Sequence, residues 1–158
     1  MGKVVTLPEL QRTREACRQS GQKVVFTNGC FDILHKGHVE YLTKAKALGD
    51  ILVVGINTDA STRRFKGEKR PIVEQNDRVA IVANLLPVDY VCLFDEDTPD
   101  ALIRALVPDV LVKGADWKVN DIVGKDVVEQ AGGVVSTIQL TPGLSTSQII
   151  DRIRERYC

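Results

Sequence analysis

Along the chain, short apolar runs rich in Val, Ile and Leu alternate with longer segments whose apolar positions recur at helical spacing. The runs at 23–29 (KVVFTNG), 50–58 (DILVVGINT), 88–94 (VDYVCLF), 109–114 (DVLVKG) and 133–140 (GVVSTIQL) predict five strands. Several are apolar without alternation, the pattern of strands covered on both faces. Around and between them, helices are predicted at 8–19, 35–48, 75–86, 98–106, 121–131 and 145–156. Thr98-Pro99-Asp100 fits a helix start with proline in the first turn, and Gly132-Gly133 fits a helix stop before the last strand. The longest irregular stretch is 59–75 (DASTRRFKGEKRPIVEQ), read as a basic loop with five Lys and Arg residues.

Strict alternation of strand and helix gives a parallel sheet with right-handed crossovers. The predicted fold is therefore α/β: a Rossmann-like, doubly wound, five-stranded parallel sheet with helices on both faces. The 158 residues fit one domain, 1–158, with 1–22 as an N-terminal helical extension, and are too few for two catalytic domains. Charge changes this picture little, because 21 basic residues balance 21 acidic ones, which argues against a nonspecific nucleic-acid binder. Cys17, Cys30, Cys92 and Cys158 lie far apart without zinc-like spacing, so reduced thiols are expected and no metal site. The first residues lack an apolar signal core, and no apolar run approaches the roughly 20 residues that span a bilayer. A cytoplasmic protein without membrane partners is expected.

Candidate chemistry concentrates in "TNGCFDILHKGH", 27–38, which holds both histidines of the chain, His35 and His38. In a doubly wound sheet, the turn after the first strand is where phosphates bind. Neither GxGxxG nor the Walker pattern GxxxxGK[ST] occurs, so any phosphate must be held by other means. Positions three apart share a helix face, which directs both histidines to one spot, and Gly37 between them removes a side-chain obstacle. The free NH groups of a helix start favour an anion, whereas a cationic imidazole is disfavoured there until a polyphosphate arrives. The site is expected to gain charge on binding its ligand.

These residues carry a resemblance. "TNGCFDILHKGH" resembles the HxGH signature of the nucleotidyltransferase superfamily that includes cytidylyltransferases, and "GLSTSQII", 143–150, resembles its serine/threonine-rich second motif. The stretches 55–72, 95–117 and 143–150 are similar to the adenylyltransferase half of the bacterial enzymes that make ADP-heptose for lipopolysaccharide. The resemblance implies transfer of AMP from ATP to D-glycero-D-manno-heptose 1-phosphate with release of pyrophosphate, Mg2+ bridging the triphosphate. It further implies a stand-alone adenylyltransferase with a separate kinase upstream, and leaves a homodimer or larger assembly open. Competing readings are a cytidylyltransferase acting on another phosphorylated alcohol, such as glycerol 3-phosphate, and a non-catalytic nucleotide-binding module. Related glycerol-phosphate cytidylyltransferases carry an arginine just before the second motif, and "IQLTPGLST" has none.

By this resemblance His35, His38 and Lys66 are the catalytic candidates. Thr27, Asn28, Gly29, Cys30, Phe31 and Gly37 line the nucleotide turn, Arg78, Ser145 and Thr146 reach the phosphates, and Gly114 and Asp116 complete the nucleotide site. Asn57, Lys113, Asp116 and Trp117 are the candidates for the acceptor. Several have a second reading: Lys66 as a solvated lysine, Arg78 as a helix partner of Glu74, Trp117 as a packing residue and Asp32 as a helix cap. Cys30 stands where many relatives have threonine or another small residue, which predicts thiol sensitivity.

Overall fold

The structure is a computed structural model that describes residues 2–158. Six parallel strands form one sheet: β1 (Lys3–Val4), β2 (Val24–Gly29), β3 (Ile51–Asn57), β4 (Tyr90–Phe94), β5 (Val110–Gly114) and β6 (Val134–Ile138), in the order β1-β4-β3-β2-β5-β6. The chain runs outward from β2 through β3 to β4, then returns to lay β5 and β6 on the other side of β2. The β2–β5 boundary is thus the switch point, where a crevice opens beyond the carboxyl ends of the strands.

Helices cover both faces. On one, α2 (Lys36–Lys46) and α4 (Gln75–Ala83) bring Leu42, Ala45, Val79 and Val82 against Val25, Val54, Ile56 and Val112. On the other, α1 (Leu7–Gln19), α5 (Asp100–Leu106) and α6 (Lys125–Gln130) bring Leu10, Cys17, Ile103 and Val128 against Val24, Phe26, Val53 and Leu111. Consecutive residues of one strand, such as Val24, Val25 and Phe26, go to opposite cores, which is why the strands read as unbroken apolar runs.

The strand count is six rather than five because β1 is two residues long and exposed, too short to make a pattern. It is an edge strand defined only by pairing, with Lys3 and Val5 donating to the carbonyls of Asp89 and Val91. The predicted N-terminal extension therefore adds a strand, and α1 is fastened to the body by Arg14, whose guanidinium grips the Asp109 carboxylate with two 2.8 Å bonds. The basic loop at 59–75 begins as a helix, α3 (Asp59–Lys66), capped by the Thr58 side chain. Its buried residues are Ser61 and Thr62, so it has no apolar period to betray it. The helix predicted from 121 starts only at Lys125, after a 3-10 turn at Val119–Asp121. The final helix, α7 (Thr146–Tyr157), has no fully buried residue.

At the amino ends of the strands one device recurs. Asp50, Asp89 and Asp109 each stand just before a strand and accept a backbone NH at the start of the neighbouring one: Lys23 to Asp50 at 2.7 Å, Leu52 to Asp89 at 2.6 Å and Val24 to Asp109 at 2.7 Å. Each satisfies a donor that the ladder would leave unpaired.

Candidate active site

A cleft of about 600 Å³ opens at the carboxyl edge, floored by Asn28 and Gly29 at the end of β2. One wall comes from the end of β5, the loop after β6 and the start of α7, and the other from the end of β3, from α3 and from the segment that follows it. The sequence-predicted residues Cys30, Phe31, His35, Gly37, His38, Asn57, Lys66, Lys113, Gly114, Asp116, Trp117, Ser145 and Thr146 all line it. Thr27 and Arg78 do not.

The two histidines meet, though not as two helical residues. His35 is the N-cap of α2 with extended backbone (φ −145, ψ 169), and His38 sits in the first turn, its NH bonded to the His35 carbonyl at 2.9 Å. Their rings stack with centroids 3.9 Å apart at 25°. Gly37 permits this, since a Cβ there would lie 3.0 Å from His35 Nδ1. Nδ1 of each ring is buried without a hydrogen-bond partner among the described residues, so packing alone orients the pair. Burial holds His35 below the ordinary imidazole range, and burial together with the neighbouring His35 pushes His38 down to about 4. The pair is thus held neutral by its surroundings, and an anion beside it would favour protonation.

The turn beneath the pair is held from several sides. Phe31 adopts left-handed backbone (φ 49), a costly conformation for an aromatic residue, and its buried ring tilts against His38 with centroids 5.3 Å apart. Asp32 is not a cap; it is buried and accepts from the NH groups of Ile72 and Val73 at 2.9 and 2.8 Å and from Arg70 Nε at 2.6 Å. Burial pushes its carboxyl up, but those three donors outweigh it and hold the group below the usual carboxylate range.

Arg78, expected to reach the phosphates, is 1% exposed and fully engaged. It donates to the carbonyls of Val73, Cys30 and Asn57 and pairs with Asp59 at 2.7 Å, so its ionic partner is not Glu74 either. It braces the turn from behind. Thr27 is completely buried and shares a 2.7 Å bond with the Tyr41 hydroxyl, which puts Tyr41 rather than Thr27 into the cleft. Burial pushes Tyr41 up to about 12, so its hydroxyl stays neutral. Burial likewise pushes the Cys30 thiol up, only partly opposed by the Thr62 hydroxyl at its sulfur, and this makes Cys30 a slow target for alkylation at neutral pH.

On the β5 wall, Lys113 is 7% exposed, donates to Asn28 Oδ1 across the switch point and lies 5.6 Å from the Trp117 ring centroid. Burial lowers Lys113 to about 8, partly opposed by Asp116. Trp117 is half exposed to the cleft rather than packed in a core. Ser145 caps α7, accepting from the Gln148 NH, and the Thr146 hydroxyl donates to the Ile33 carbonyl at 3.2 Å. That bond ties the second motif to the histidine turn. Sequence reasoning missed Tyr41, one helical turn beyond His38 on the same face of α2, and Arg70, whose difference from Arg78 depends on tertiary burial.

Comparison with known proteins agrees with this geometry. A family model described as cytidylyltransferase-like matches residues 26–152. The bifunctional protein HldE of Citrifermentans bemidjiense is 61% identical over 137 residues, covering 87% of this chain and 28% of that protein. HldE of Helicobacter pylori is 54% identical over 94% of this chain and 31% of its own length, so the chain spans about a third of these curated relatives. A lipopolysaccharide core biosynthesis protein from Thermoplasma volcanium GSS1 superposes with a TM-score of 0.63 at 35% identity, over 77% of this chain and 98% of its own. A pantoate-beta-alanine ligase from Francisella tularensis, at 17% identity and a TM-score of 0.61 over 98% of this chain and 78% of its own, shares the fold.

Proposed function

The chain belongs to the cytidylyltransferase-like family, and from that premise we propose that it transfers AMP from ATP to D-glycero-D-manno-heptose 1-phosphate, giving ADP-heptose and pyrophosphate. One observation carries the reading: two phosphate-handling elements, the stacked histidines and the Ser145-capped start of α7, face one cleft and are joined by the Thr146–Ile33 bond. The sugar side is supported by the resemblance of 55–72, 95–117 and 143–150 and by similarity to a lipopolysaccharide core biosynthesis protein.

In this reading a phosphate oxygen of the acceptor attacks the α-phosphorus in line. The bond from the α-phosphorus to the bridging oxygen breaks, and pyrophosphate leaves. The nucleophile is already ionised near neutral pH, so no general base is required, and catalysis is positioning plus charge stabilisation. His35 and His38 donate to the phosphate oxygens as charge accumulates there, and Lys66 adds a cation. The free NH groups at the start of α7, with the Ser145 hydroxyl, hold the leaving pyrophosphate, and Thr146 positions that helix start through its bond to Ile33. Asn28, Gly29, Cys30, Gly114 and Asp116 line the nucleotide side, with Asn57, Lys113 and Trp117 available to the sugar.

Magnesium enters as the companion of the triphosphate. Among the described residues no group of three His, Cys, Asp or Glu is assembled to hold a metal, so its oxygen ligands would be those of the nucleotide and water. A sugar kinase must supply the acceptor. Among the described residues no helix is long and apolar enough to cross a membrane, and four unpaired cysteines support a cytoplasmic setting.

Pyrophosphate release from ATP, CTP and GTP, each with and without heptose 1-phosphate, tests the reading. Release from ATP only when the sugar phosphate is present is expected. His35→Ala and His38→Ala should each lower kcat by about 100-fold or more while the melting temperature holds. Undiminished turnover in both variants overturns the mechanism.

A further inference from the structure

Two arginines, Arg70 on the segment after α3 and Arg78 in α4, have opposite fates. Every arm of Arg78 ends on a protein acceptor. Arg70 lines the cleft and is held by one contact alone, Nε to Asp32 at 2.6 Å. Nη1 and Nη2 of Arg70 have no protein acceptor among the described residues, yet they are not among the buried unpartnered atoms, so they remain open to the cleft. We propose that Arg70 binds the phosphate of the acceptor substrate, its guanidinium aimed by the buried carboxylate of Asp32. The proposal rests on the adenylyltransferase reading and identifies a phosphate ligand within that site.

A guanidinium fixed through Nε presents its other NH groups as a preset pair, which suits two oxygens of one phosphate. Asp32 can hold it rigidly because its own position is fixed twice more, by the NH groups of Ile72 and Val73. The Asp32–Arg70 pair is neutral overall, so the attraction it offers is short-range and directional. Lys66, which also lines the cleft, adds a cation to this wall, while Asp97 at the same rim is paired with Arg64 at 2.6 Å. The location selects the acceptor. In-line displacement sets the attacking phosphate opposite the leaving pyrophosphate; with the pyrophosphate at the start of α7, the attacker falls to the α3 side, where Lys66 and Arg70 are.

Arg70→Lys separates this role from a structural one, because a lysine still neutralises Asp32 but its single nitrogen cannot present a paired, planar set of donors to a phosphate while held at the carboxylate. The expected result is a rise of at least tenfold in KM for heptose 1-phosphate, KM for ATP within twofold of the parent, and an unchanged melting temperature. Arg70→Ala should recover part of its activity when guanidinium ion is added. Parental kinetics in Arg70→Lys, or a rise confined to the KM for ATP, overturns the proposal. A parent protein that does not use the sugar phosphate would instead defeat the adenylyltransferase reading. The inference then remains testable by titrating orthophosphate against the fluorescence of Trp117, the sole tryptophan and part of the cleft. Binding at least tenfold weaker in Arg70→Lys supports the inference, and equal binding sinks it.

Discussion

Stacked at 3.9 Å, the rings of His35 and His38 leave little room for two positive charges, and only an anion above them makes a second proton favourable. The sign of the pH effect follows. Between about 4, where His38 titrates in the folded chain, and about 6.5, its unfolded value, the unfolded state binds the proton and the native state does not. Stability therefore rises with pH across that window and falls as the solution is acidified through it, by on the order of 2 kcal/mol. Denaturant unfolding at pH 7 and pH 5 measures the loss, and His38→Asn should flatten it. Nucleotide binding should take up protons near pH 6, which calorimetry in buffers of different ionisation enthalpy reads directly. At this scale the sequence revealed the pair, because a chain with two histidines that sets both in one turn is legible. It could not rank Arg70 against Arg78, since the ranking depends on which guanidinium the packing of α4 seals away.

Elements were legible in proportion to their apolar content. The runs that became β2 to β6 send consecutive residues into two cores and so announce themselves. Helix α3 hides because its inward residues are a serine and a threonine, and β1 hides because two exposed residues make no pattern. Helix α7 was predicted from its apolar spacing, but its value to the site lies in its first turn. Ser145→Ala removes the side-chain cap and should cost about 1 kcal/mol at that helix start. In steady-state assays it should raise KM for ATP several-fold with a smaller change in kcat. An unaltered KM would detach the α7 start from the triphosphate.

The whole molecule divides along the strand direction, with fastenings at the amino edge and the cleft at the carboxyl edge. Asp109→Ala strips the nearly buried Arg14 of its carboxylate and the Val24 NH of its acceptor. A loss of about 2 kcal/mol is expected, below the range for a fully buried ion pair because the Asp109 side chain is 37% exposed and water screens it. Substrate KM values at a permissive temperature should not move, and a shift in them would mean the two edges communicate. Amide exchange should show the same polarity, with the NH groups of Lys23, Val24 and Leu52 outlasting those of 30–34. Riveted at its base by Asp50, Asp89 and Asp109, the sheet resembles a fan whose open rim can be re-cut. Insertions or exchanges in the rim loops leave every rivet in place, so new specificities can be explored by mutation without first eroding the fold that must display them.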